Sequence, residues 1–208
     1  MQVFSRQRSV VLAPVRNGRP AVDQPPRIGS SRRRHVGFTI LELMVSLAVA
    51  GVLLVIAIPS FRQLIISNRL TTAANDMVAA INVARMEAVK RNASSQFCSD
   101  LAANNLTDTL GTQCGTQAGG VAVLNAAGTA VQVLGGVTSI VTPLQLSGNV
   151  TALRFTSQGV GQQAGFTTPF GNNVAVICTS ALSTNNVRTI SMVGGTILQV
   201  VPSTGACG

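Results

Sequence analysis

Glu42 is the only ionisable side chain between Phe38 and Ile58, a run of 21 residues that is otherwise almost wholly apolar. A carboxylate in such a run costs about 2.5–3.5 kcal/mol on insertion scales, so it reads as functional and in need of a cationic partner. The other reactive side chains are four cysteines, Cys98, Cys114, Cys178 and Cys207. A zinc site would want a Cys-x-x-Cys pair or histidines; no such pair exists, and the one histidine, His35, lies in a basic stretch upstream. Without a later histidine, neither a Ser–His–Asp nor a Cys–His constellation can be assembled from 38–208. Five scattered acids there (Glu42, Asp76, Glu87, Asp100 and Asp108) suggest no metal cluster or carboxylate pair. Gly159-Val160-Gly161 lacks the following Lys/Ser and helix of a phosphate loop and reads as a turn. Charge pairing and disulfide formation are the chemistry on offer; no enzymatic activity, metal or cofactor is expected.

The element that must position Glu42 is a helix. Twenty-one apolar residues are enough to cross the hydrocarbon core of a bilayer. A secretory signal would have an apolar region of about 7–15 residues and a small-residue cleavage site, and Ala-x-Ala is missing here. A plain membrane anchor explains the length but not the glutamate. Arginines 32–34 lack the surroundings of a twin-arginine signal. The stretch Gly37-Phe38-Thr39-Ile40-Leu41-Glu42 resembles the cleavage and assembly motif of type IV pilins and pseudopilins. The resemblance implies that a prepilin peptidase cuts between Gly37 and Phe38 and N-methylates Phe38. It also implies that Glu42 neutralises the Phe38 amine of a neighbouring subunit during assembly.

Charge divides at the same glycine. Residues 1–37 hold eight arginines and one acid, Asp23, and carry +7; residues 38–208 hold seven basic residues and five acids, and carry +2. The strongly basic character therefore belongs to the leader, where it holds the N-terminus in the cytoplasm rather than marking a nucleic-acid patch. The leader is long for the family; its first portion reads either as disordered or as preceding the true start, and both readings stay open.

After Pro59 the pattern becomes amphipathic. Phe61, Leu64, Ile65, Met77, Val78, Ile81, Ala84 and Ala88 recur at spacings of three and four, with Leu70 and Ala74 between them. One helix from Phe38 to about Arg91 would hold 54 residues and span roughly 80 Å. Pro59 is expected to kink or locally melt it, because it removes the bond to the Val55 carbonyl. Glu87 and Arg91, at i and i+4, are placed to pair.

Two stretches, Asn68-Arg69-Leu70-Thr71-Thr72-Ala73-Ala74-Asn75-Asp76 and Ala84-Arg85-Met86-Glu87-Ala88-Val89-Lys90-Arg91, resemble the GspH/FimT family of minor pseudopilins and minor pilins. Downstream, short β-type runs appear at Val121–Leu124, Val131–Leu134, Leu153–Thr156, Val174–Thr179, Val187–Met192 and Thr196–Val201. The expected fold is α+β and pilin-like: a long N-terminal spine helix, transmembrane in its first half, packed on a C-terminal antiparallel β-sandwich head. The expected organisation is a leader over 1–37, a hydrophobic assembly helix over 38–60, its amphipathic second half over 61–92, and a head over 93–208.

This topology puts the four cysteines in the oxidising periplasm, where disulfides form. Proximity and element order favour Cys98–Cys114 and Cys178–Cys207 among the three connectivities. Paired cysteines at comparable positions resemble FimT-like pilins more than secretion H components. The function implied is a minor subunit of a type II secretion pseudopilus or type IV pilus, in assembly priming or at the tip. Its expected partners are prepilin peptidase, other pilin subunits and inner-membrane lipid. The alternative is a FimT-like DNA-binding pilin with Arg154 and Arg188 as nucleic-acid residues. The stretch matching that family's Gly-Arg-x-Arg motif is Gly194-Gly195-Thr196-Ile197-Leu198, which carries no arginine.

Overall fold

The structure, a computed structural model, describes residues 37–208. The leader, with its arginines and His35, lies outside the described residues. A short N-terminal unit ends at Leu43, and a compact unit comprises Met44–Gly208.

Helix α1 runs over Ile40–Arg91. Its start is written locally: Thr39 Oγ1 accepts from the Glu42 amide at 3.2 Å, and Thr39-x-x-Glu42 has the spacing of a capping box. Its end has Lys90 and Arg91 against the negative pole of the helix dipole. Asn92 follows at φ 48°, a left-handed stop. Arg91 Nε donates to Glu87 Oε2 at 2.7 Å and Lys90 adds a second contact at 3.5 Å, so Glu87 pairs as its spacing suggests. The expected melting at Pro59 does not occur, because α1 is helical on both sides of the proline and through it. The ring deletes one backbone bond, and the helix on either side carries the turn.

The head holds two antiparallel sheets. The first contains β1 (Ser95–Phe97), β2 (Val121–Leu124), β3 (Ala130–Leu134), β5 (Leu153–Phe155) and β6 (Gly161–Gln163), in the order β3-β2-β1-β5-β6. The second contains β4 (Leu144–Leu146), β7 (Asn173–Thr179), β8 (Val187–Val193) and β9 (Ile197–Ser203), in the order β4-β7-β8-β9. Two short helices, α2 (Ala102–Asn105) and α3 (Thr109–Cys114), fill the connection from β1 to β2. The expectation of an α+β fold with an antiparallel head holds.

One apolar core joins α1 to both sheets. Leu70, Ala73, Ala74, Met77, Ile81 and Ala84 on α1 meet Phe97, Phe155, Ile177, Ile190 and Met192, all buried. Five of the eight residues on the buried face of α1 are alanine, which lets the sheets approach the helix axis closely; leucine, isoleucine and phenylalanine from the strands supply the bulk. The apolar stripe read from the sequence needs one correction. Phe61, Leu64 and Ile65 are 63%, 56% and 51% exposed. The head's buried contact with α1 starts at Leu70, and those three residues extend the exposed apolar surface of the first half.

Candidate functional site

Around Glu42 the chain is a bare apolar helix. From Phe38 through Ile58 every side chain is exposed except the half-buried Ala57, and none of the most apolar 18-residue window is buried. It lies in the one helix among the described residues that is long and apolar enough to cross a membrane. Gly37 and Phe38 stand just before the first turn, in non-helical backbone open to solvent. A peptidase can reach such a bond without unwinding the helix. Glu42 sits at the third position of that helix, where its carboxylate faces the positive pole of the dipole. Thr39, which fixes this helix start, was missed in the sequence although the Thr-x-x-Glu signature was there to read. Pro59 lies where the exposed stretch gives way to the amphipathic half.

In the head, Cys98 joins Cys114 and Cys178 joins Cys207. The first bridge closes a loop organised around the buried Asn105. Its Oδ1 accepts from the Ser99 amide at 2.7 Å, and its Nδ2 donates to the carbonyls of Ser99 and Gly115, each at 3.0 Å. Gly111 must be glycine, since a Cβ there would lie 1.9 Å from the Asn105 carbonyl oxygen. The second bridge pins the C-terminal tail, with Asn186 exchanging hydrogen bonds with the backbone of Gly205.

The two arginines considered for nucleic acid stand on different sheets, Arg154 on β5 and Arg188 on β8. Arg154 binds Asp108 through two contacts, at 2.5 and 3.0 Å, and also donates to the buried Gln96. Asp108 in turn caps α3, accepting from the Gly111 amide at 2.9 Å. The Arg154 hydrogen bond holds its carboxyl below the usual aspartate range. Arg188 is only 9% exposed and donates to the carbonyls of Asn185 and Val187. The structure therefore does not bring the pair into one exposed cationic strip. A third arginine, Arg85, carries a structural task that the sequence did not disclose. It donates to the Thr196 carbonyl at 2.7 Å and lies 5.6 Å over the Phe155 ring, tying the β8–β9 turn to α1. Burial lowers its pKa.

An exposed apolar helix with one early glutamate, following a cleavable-looking glycine and leading into a disulfide-closed β head, invites comparison with filament subunits. The model of the prokaryotic N-terminal methylation motif matches residues 32–58. The model described as type II transport protein GspH matches residues 73–195, more than half of the chain. The chain belongs to the GspH family. Comparison with curated proteins gave no match. Two crystal forms of the type IV minor pilin FimU from Pseudomonas aeruginosa are similar. One is 22% identical, with a TM-score of 0.41, and covers 68% of this chain and 96% of that one. The other is 20% identical, with a TM-score of 0.38, and covers 67% and 100%.

As a GspH-family minor pseudopilin or minor pilin, the chain divides its work in two. The methylation motif covers Gly37, Phe38, Glu42 and the exposed apolar run, and the family region covers the helix that packs on the head and most of the head itself. Among the described residues no group of three His, Cys, Asp or Glu side chains is gathered as metal ligands.

Proposed function

We propose that the chain is cut between Gly37 and Phe38, that Phe38 is N-methylated, and that the product is stored in the inner membrane before entering a filament. The leader stays cytoplasmic and the head periplasmic. The filament is a type II secretion pseudopilus or a type IV pilus, and the subunit acts in priming assembly or at the tip. The observation that carries this reading is the exposed apolar run of α1, which begins within three residues of Gly37 and holds Glu42 in its first turn. A methylated amine on Phe38 keeps its positive charge, and Glu42 is the one acid in the run able to neutralise it as apolar helices bundle. The match to the methylation motif supports the same reading.

The test separates processing from assembly. Glu42→Ala is expected to leave cleavage of the leader intact while removing the subunit from sheared filaments, as read by immunoblot of membrane and filament fractions. Normal incorporation of Glu42→Ala would sink the proposed pairing.

A further inference from the structure

Beyond the apolar span, α1 carries a groove against the β7–β8 loop. Phe61 and Leu64 form its apolar side, Ser60 and Gln63 lie beside them, and Leu182 and Thr184 face them from the loop. The groove holds about 590 Å³. We propose that this groove receives a phospholipid headgroup and its glycerol linkage, seating the head on the bilayer surface that α1 leaves; the proposal rests on the reading of 38–58 as a membrane span.

Three observations favour lipid as the occupant. The first is continuity: Phe61 and Leu64 are exposed and extend the bare apolar surface of the span. The second is depth. Ser60 to Leu64 lie two to six residues past Ile58, or about 3–9 Å along the helix. The headgroup layer beyond each side of the hydrocarbon is about 5–7 Å thick, so the groove opens at that level. The third is charge. No carboxylate lines the groove, so nothing in it repels a phosphate. The hydroxyls of Ser60, Ser67 and Thr184 and the amides of Gln63 and Asn185 suit a phosphate diester, and Phe61, Leu64 and Leu182 suit the upper acyl carbons.

The loop is held in place for such contact. It leaves β7 after Thr179, next to Cys178 with its bridge to Cys207, and the Asn185 amide donates to Thr204 Oγ1 at 2.9 Å. The tail and its disulfide thus anchor both ends of the loop that carries Leu182 and Thr184.

The chain contains no tryptophan, so a single introduced indole reports its own surroundings. The full chain carrying Leu182→Trp is reconstituted in phosphatidylethanolamine–phosphatidylglycerol vesicles with bromine either near the glycerol or deep in the acyl chains. Leu47→Trp marks the span, and Met86→Trp marks α1 far above it. The expected result is loss of Leu182→Trp emission with the shallow bromine, of Leu47→Trp emission with the deep bromine, and of Met86→Trp emission with neither. Thr184→Trp, on the exposed lip, repeats the reading with a second reporter. Unquenched emission from both loop reporters while Leu47→Trp is quenched overturns the lipid contact and leaves the groove to a protein partner or to water. If Leu47→Trp is not quenched, the span itself is refuted and the lipid contact falls with it.

Discussion

Single residues in this protein act by joining elements that are distant in the chain. Arg154 is the clearest case, because its guanidinium serves the Asp108 carboxylate and the Gln96 side chain together. Gln96 is fully buried, and an arginine lost above it leaves an acceptor stranded. Arg154→Ala is therefore expected to cost about 1–3 kcal/mol, measured by denaturant unfolding of the detergent-solubilised chain. Asp108 adds a pH dependence of definite sign. Its folded pKa lies below the ordinary 3.8, so its contribution to stability is present above that value and is lost as pH falls through the folded pKa. Asp108→Asn should thus show a shallower loss of stability than the parent below about pH 4; equal acid limbs would contradict the pairing. Glu42 and Pro59 were legible in the sequence because each breaks a pattern, a charge among apolar residues and a ring in a helix. Arg85 was not legible. Its partners, the Thr196 carbonyl and the Phe155 ring, are 111 and 70 positions away, and neither is marked by residue type.

At the scale of elements, the long helix and the later strands could be read in advance, since periodicity survives wherever an element is long or alternates in burial. β1, β4 and β6 hold three residues each and were not foreseen. Nor were α2 and α3, whose form is imposed by the disulfide and by Asn105 rather than by any apolar period. The stripe on α1 was over-extended toward Pro59 because apolar residues at helical spacing look alike whether a head or a bilayer covers them. The disulfides carry the element-scale prediction. Cys98–Cys114 and Cys178–Cys207 span 16 and 29 positions, and loop entropy assigns each about 3–4 kcal/mol. Replacing either pair with serine should lower the melting temperature by on the order of 10 °C. Loss of the second pair should also loosen the β7–β8 loop, seen as faster amide exchange over residues 180–186.

Along one helix the chain passes from an uncovered apolar surface to a face buried under a head. From Ile40 to Ile58 the side chains of α1 are almost all apolar and uncovered; from Leu70 onward one face is buried against two sheets that share one core. Between them lies a mixed stretch in which Arg62 and Arg69 stand among Phe61, Leu64 and Ile65, the segment where, on the proposed reading, a lipid surface and a folded head would meet. A +7 leader and a +2 remainder make a charge asymmetry that, under the proposed topology, would hold the leader in the cytoplasm. Under the proposed processing, entry into a filament would require the leader to go, since cleavage would create the amine that Glu42 answers. The most direct measurement is N-terminal sequencing with mass spectrometry of the protein recovered from its native membrane. The expected result is a chain beginning with N-methylated Phe38; an intact leader, or a cut anywhere other than after Gly37, would contradict the proposed subunit role at its root.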